Sequence, residues 1–357
     1  MLGFFGAKER VMLGIDIGTS TMKVVELTRS GGTTALTNYG QAKTREYLTT
    51  MKDVIGKDAT ATLEELVAKM LQTLLRELKP DATKAVMSIP AFSSFSTVMQ
   101  FPAAMKGEEL AAAVPYEASL HVPLPLSEVA LDWISLPMPM TPEGPAAKRE
   151  VLLVAVPQEI IEKYQRIAAR AGIELAAVEV EMFSLARVTL AGMPHALLLD
   201  IGTSTTSIAV VADGFIRAVH SVEIAGGQLS KAIVNALRVN AGRAETVKQT
   251  EGITGTTPSG VRNVLTPFID RIIVEVKRLL TLYESTAQRA IETVVLVGGS
   301  SRLPGIVQYL TDKLGRSVVL GTPLKQLQYP PTLEPIAPEI NALYAVAIGL
   351  ALRELSD

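Results

Sequence analysis

Asp16-Ile-Gly-Thr-Ser-Thr21 returns, letter for letter, as Asp200-Ile-Gly-Thr-Ser-Thr205. The two copies start 184 positions apart in a chain of 357 residues. Their surroundings match as well. Residues 11–17 and 196–201 are apolar runs that lead in, and residues 22–27 and 207–211 are apolar runs that lead out. A polar glycine-containing tip between two apolar runs is the pattern of a β-hairpin. Repetition of both hairpin and context predicts two homologous lobes, each opening on the same hairpin.

Working outward, Leu63, Leu66, Val67, Met70, Leu71, Leu74 and Leu78 recur at helical spacing, so residues 62–78 are expected to form a helix closed by Lys79-Pro80. Strands are expected over 84–89, 94–101, 129–136 and 150–156, with a helix from about Lys106 and another started by Pro157. Pro115 departs from a smooth helix and is expected to delay the start of the first of these. Proline-rich 137–145 reads as a loop or an extended hairpin tip. Residues 88–157 thus form a small α+β insertion with its own strands. In the second lobe a Gly226-Gly227 turn precedes a helix over 229–239. A long helix follows over 260–289, then a buried strand over 293–297 that ends in Gly298-Gly299-Ser300-Ser301. Pro304 opens a helix to Leu314, and a last helix covers 338–352.

Composition removes several classes of function. Lysine and arginine total 34 against 36 acidic residues, so bulk positive charge gives no support to nucleic-acid binding. The chain has no cysteine, which excludes disulfides, thiolate metal sites and thiol nucleophiles. His121, His195 and His220 are too few for a histidine metal cluster and read as structural or surface groups. The N-terminus lacks the features of a signal peptide, and the longest apolar run, near 342–352, is shorter than the roughly 18–20 residues of a membrane span. A cytoplasmic protein is expected.

The chemistry lies in the glycine turns. A strand-to-strand turn with consecutive Thr and Ser exposes backbone amides that bind phosphate oxygens. Two such turns facing each other would clamp a polyphosphate, with Asp16 and Asp200 holding a magnesium ion directly or through water. Lys23 adds a point charge, or is a solvated strand residue. The Gly298-Gly299-Ser300 turn lets backbone approach a purine ribonucleoside. Neither a Walker A run nor G-x-G-x-x-G is present, so the nucleotide would be held by paired hairpins.

These stretches resemble the actin-like ATPase superfamily, which includes actin, sugar kinases, chaperone ATPases and the cell-division protein FtsA. Residues 14–23 resemble its first phosphate motif, 199–205 the second, 294–304 the adenosine motif, and 180–186 and 342–349 the two connecting helices. The resemblance implies an α/β, two-lobed actin-like ATPase fold of duplicated RNase H-like domains with an FtsA-type α+β insertion in the first lobe. Its expected parts are a first-lobe core of 1–87 and 158–195 and an insertion of 88–157. The second lobe would be 196–225 and 291–337 with its own insertion at 226–290, and 338–357 would return to the first lobe.

The site follows residue by residue. Gly18, Thr19, Ser20, Thr21, Lys23, Gly202, Thr203, Ser204 and Thr205 would hold the phosphates of ATP or ADP. Asp16 and Asp200 would handle Mg2+, and Glu181 would orient or polarise the attacking water. Gly226 and Gly227 would border the sugar. Gly298, Gly299, Ser300 and Arg302 would back the adenosine. Glu275 and Arg278 resemble the charged pair that brackets base and ribose, and read equally as an ordinary i,i+3 helix ion pair.

Within the superfamily, residues 113–123 and 128–132 resemble the PilM family of the type IV pilus machine, as does the short Phe-containing start before the first motif. The chain ends at Asp357 directly after the last helix, whereas FtsA continues into an amphipathic membrane helix. The resemblance implies a bacterial cytoplasmic platform that binds ATP, with slow or no hydrolysis. It would recruit the N-terminal cytoplasmic tail of the inner-membrane protein PilN into a groove between first-lobe core and insertion. Contact with other pilus components, a homo-oligomer or ring, and an indirect association with the membrane are further implications. An actin-like small-molecule kinase and an FtsA-like filament former are the alternative readings.

Overall fold

A computed structural model describes residues 9–44, 62–137, 140–141, 144–145, 148–254, 260–287 and 289–356. Strands β1 (Arg10–Ile17), β2 (Thr21–Ser30) and β3 (Thr33–Lys43) are followed by α1 (Leu63–Leu78) and β4 (Lys84–Ile89). Next come β5 (Phe95–Pro102), α2 (Gly107–His121), β6 (Val129–Ser135) and β7 (Lys148–Pro157), then α3 (Gln158–Ala171), β8 (Glu174–Val180) and α4 (Glu181–Thr189). The second half holds β9 (Ala196–Ile201), β10 (Thr206–Ala212), β11 (Phe215–Val222), α5 (Gly226–Leu237), α6 (Ala241–Glu251) and α7 (Val261–Ala287). It closes with β12 (Thr293–Val297), α8 (Ile306–Leu314), β13 (Ser317–Leu320), α9 (Ala337–Leu343) and α10 (Ala345–Arg353).

The two halves carry the same sheet. The first runs β8-β4-β1-β2-β3 and the second β13-β12-β9-β10-β11. In each, a three-stranded antiparallel meander opened by the repeated hairpin receives two parallel strands on the far side of its first strand. Parallel strands need helical crossovers, and these helices cover the sheets. Each half has its own large apolar core, and the insertion has a third around Met99, Phe101, Leu110, Val114, Ala118 and Leu153.

The insertion sheet runs β5-β7-β6, all antiparallel. Its alternation is the clue to its placement. Phe101, Val151 and Leu153 face α2, while Leu152 and Val156 join the first-half core. Arg217 of β11 pairs with Glu150 of β7, so the second half also touches the insertion.

Local chemistry explains most boundaries. Thr62 and Glu65 form a reciprocal capping box at the start of α1, and Lys79 ends it in the left-handed conformation. Gly349 of α10 lies where a Cβ would stand 2.1 Å from the Ser184 carbonyl of α4, so only glycine lets these two helices touch.

Five expectations change. Pro115 does not delay α2, which starts at Gly107 and runs through it; the lost amide bond falls on the exposed side. Gly226-Gly227 is not a free turn but the opening of α5. Pro304 stands outside α8, which starts at Ile306 after left-handed Gly305. Helix α6 has no counterpart in the sequence reading, because only Ala244 and Val247 supply apolar burial and the periodicity is weak. The single last helix is two, breaking at Tyr344 with an 83° bend. The Phe-containing start, most of the 137–145 tip and residues 255–259 lie outside the described residues. Where described, Met140–Thr141 pairs with Gly144–Pro145 as an extended tip. Among the described residues no single helix is long and apolar enough to cross a membrane.

Candidate nucleotide site

A cleft of about 990 Å3 lies between the two sheets at the tips of both repeated hairpins. The tips meet across it: Thr19 Oγ1 and Ser204 Oγ are 2.7 Å apart. Each tip is tied down by its carbonyls. Thr44 donates to Ser20 O and Gly18 O in the first, and Gly226 N and Gly227 N donate to Gly202 O and Thr203 O in the second. The amides of Thr19, Ser20, Thr203 and Ser204 have no backbone acceptor among the described residues. Four such donors on two facing turns suit an anion with many oxygens.

Three carboxylates form the floor. Asp16 lies opposite Lys23 in the hairpin register and pairs with it at 3.2 Å, while Ser88 Oγ donates to its other oxygen at 2.9 Å. Glu181 is the first residue of α4. Its Oε1 accepts from the Ala91 amide at 3.1 Å and from Ser207 Oγ at 2.9 Å. The Asp200 carboxylate has no hydrogen-bond partner among the described residues and lies against Gly298. A Cβ on Gly298 would stand 2.2 Å from Asp200 Oδ1, and its φ of +85° is one that L side chains rarely adopt. Burial, then the charges of Asp200 and Asp16, push the Glu181 carboxyl well above the ordinary range, against the two hydrogen bonds it accepts. Burial also pushes Asp200 up, with Lys23 opposing and Asp16 adding to the shift. Among the described residues no three acidic or histidine side chains gather closely enough to hold a metal by themselves, so a divalent cation here would need phosphate oxygens or water to complete its shell, and its charge would relieve both burial and repulsion. The donor set is oxygen only, as magnesium requires.

The predicted residues converge. Asp16, Gly18, Thr19, Ser20, Thr21, Lys23, Glu181, Asp200, Gly202, Thr203, Ser204, Thr205, Gly226, Gly227, Gly298, Gly299, Ser300 and Arg302 all line the cleft. Arg302 pairs with Glu339 at 3.3 Å. Two do not reach it. Glu275 and Arg278 sit on α7 facing β11, where Glu275 bonds Arg278 at 2.8 Å and His220 at 3.2 Å. They form the i,i+3 ion pair, and the cleft wall is lined instead by α5 and α6.

That wall is made by residues the sequence reading missed. Lys248 Nζ is nearly buried and reaches Glu245 at 2.8 Å, Ser230 Oγ at 2.8 Å and Gly226 O at 3.2 Å. Ser230 in turn donates to Glu245 at 2.7 Å. Burial raises Glu245, but the bonds from Lys248, Ser230 and Gln249 outweigh it and hold the carboxyl below its usual range. The signal was present: Asn240, a strong N-cap, precedes Glu245-x-x-Lys248 at the spacing that puts both on one helix face.

Comparison with known proteins bears on the fold and the family. The chain resembles the solved PilM–PilN type IV pilus biogenesis complex with a TM-score of 0.79 and 26% identity over 97% of this chain and 99% of that one. MreB5 of Spiroplasma citri bound to ADP matches with a TM-score of 0.54 at 15% identity over 97% of both chains, a likeness of fold. The cell division protein FtsA of Pseudomonas aeruginosa is 25% identical over 244 residues, 61% of this chain and 56% of that protein. The mixed α/β architecture is thus that of the actin-like ATPases. The family model for the type IV pilus assembly protein PilM covers residues 14–355. From the first hairpin to the end of the last helix, the chain belongs to the PilM family of type IV pilus assembly proteins.

Proposed function

We propose that this protein is an ATP-binding platform for type IV pilus assembly. It works at the cytoplasmic side of the inner membrane, holds the N-terminal cytoplasmic peptide of a PilN-type partner, and hydrolyses ATP slowly or not at all. The observation that carries the nucleotide half is the meeting of two identical hairpin tips over three carboxylates in one cleft. In this reading the tip amides and Lys23 hold phosphates, and Asp16 and Asp200 hold Mg2+ directly or through water. Magnesium supplies charge neutralisation there. Both donors to Glu181 bind Oε1, so Oε2 is the atom left to orient a water. Gly226 and Gly227 border the sugar beside the Ser230–Glu245–Lys248 cluster, and Gly298, Gly299, Ser300 and Arg302 back the base.

The partner half is supported by the likeness to the PilM–PilN complex. The seam where the insertion meets the first-half core is the proposed seat of the peptide. The turn at Ala91–Ser93 links the two functions: its Ala91 amide holds Glu181, and the chain leaves it directly into β5 of the insertion. A nucleotide that moves Glu181 therefore pulls on the insertion.

Calorimetric titration with Mg-ATP, and then with a peptide copying a PilN tail, tests both halves. Wild type is expected to bind both, and Asp200→Ala to lose at least about tenfold in nucleotide affinity and to bind the peptide more weakly. Folded wild type that binds no nucleotide overturns the platform. Nucleotide binding without peptide binding overturns the partner assignment.

A further inference from the structure

Helix α2 has two apolar faces. Leu110, Val114 and Ala118 are buried against the insertion sheet. On the other side, Glu108, Ala112, Tyr116 and Leu120 follow one another at i,i+4 spacing and all are exposed. Tyr116 is 73% exposed and Leu120 66%, and Leu124, 41% exposed, stands in the turn that follows. A surface helix normally sets charge opposite its buried stripe; beyond Glu108 this one sets Ala112, Tyr116 and Leu120 there. Because α2 covers the sheet face turned away from the first-half core, this stripe is separate from both the cleft and the seam proposed above.

The charge along this stretch is mostly acidic. Lys106 caps the helix, Glu117 pairs with His121, and residues 107–137 hold five carboxylates, Glu108, Glu109, Glu117, Glu128 and Asp132, and no lysine or arginine, in a chain whose totals nearly balance. An exposed apolar patch rimmed by polar groups marks an interaction site, and the sign of the rim selects the partner. Anionic lipid and nucleic acid are repelled. A second copy docking by the same face would bring carboxylates together.

We infer that the outward face of α2, centred on Tyr116 and Leu120, is a docking surface for a basic amphipathic segment of a partner protein. Leucine-type side chains of that segment cover the stripe, and its lysines and arginines meet the acidic rim. This surface does not depend on the nucleotide reading.

The test uses the full chain and a fluorescein-labelled helical peptide of leucine and lysine, beside a counterpart with glutamate for lysine. Anisotropy is expected to show binding of the lysine peptide alone, weakened by salt. The doubles Tyr116→Ser/Leu120→Ser and Glu108→Lys/Glu109→Lys should each weaken it by at least about tenfold. The replaced side chains are exposed, so thermal unfolding and Mg-ATP titration of both variants should stay at wild-type values, which separates this result from failure of the platform reading. Equal peptide binding by wild type and both doubles overturns the inference. So does co-sedimentation of wild type, but not the Tyr116→Ser/Leu120→Ser double, with phosphatidylglycerol vesicles. Wild-type self-association that this double abolishes makes a second copy the occupant and also overturns it.

Discussion

The two hairpins share six identical residues and the same strand geometry, yet their aspartates live in different chemistry. Opposite Asp16 in the register stands Lys23; opposite Asp200 stands Ser207. On the neighbouring parallel strand, Ser88 reaches Asp16, whereas Val297 is paired with Asp200. Asp16 is therefore paired and hydrogen-bonded. Asp200 is dominated by burial, with Lys23 only partly offsetting it, and Ser207 turns its hydroxyl to Glu181 instead. The tips are also anchored differently, the first by Thr44 and the second by the opening of α5. A repeated motif carries its backbone with it, but the charge state of its side chains is set by strands that the motif does not include.

Breaking the second hairpin's setting should have the largest effect. Gly298→Val drives a side chain into Asp200 Oδ1 and the Ile201 carbonyl at a left-handed backbone position. It should cost about 3 kcal/mol or more in chemical denaturation. A small loss would mean that Asp200 is less confined than its surroundings indicate.

The next effect is one of pH. Glu181 has a folded pKa above its unfolded value, so the folded protein holds more protons as pH rises past the ordinary carboxylate range. Its contribution is present at low pH and lost as pH rises through the raised value. Glu181→Gln keeps an acceptor for Ala91 and Ser207 and removes the ionisation. It should unfold later than wild type at alkaline pH, by on the order of 1 kcal/mol, and flatten the profile. Identical pH profiles would place the titrating group elsewhere.

The smallest effect sharpens the comparison. Val297→Ser offers Asp200 the hydroxyl that Ser88 offers Asp16. It should lower the Asp200 pKa, read as a shallower pH dependence in the Glu181→Gln background, at a packing cost of about 1 kcal/mol.

Much of this was legible beforehand. The hairpins, α1, β4 and β12 all follow from short-range pattern, and eighteen of the twenty named site residues line the cleft. The failures share a cause. Glu275 and Arg278 look like a ligand-bracketing pair at i,i+3, but which wall of the cleft a helix forms is not written in its spacing. Glu245 and Lys248 have the same spacing and do line it. The break at Tyr344 was hidden because α9 and α10 are both apolar, and Tyr344 is itself a buried residue packed edge-on to Tyr39 at 5.3 Å.

The sequence by itself determined the hairpins, the duplication and the oxygen-rich, glycine-lined character of the site, because alternation, turns and capping act over a few neighbouring residues. Tertiary structure alone decided that the two tips touch, that Lys23 pairs with Asp16 and, among the described residues, no cation pairs with Asp200, and that α5 and α6 rather than α7 form the cleft wall. Those outcomes depend on register across strands and on helical crossovers that bring residues together from distant parts of the chain, and no local periodicity encodes them.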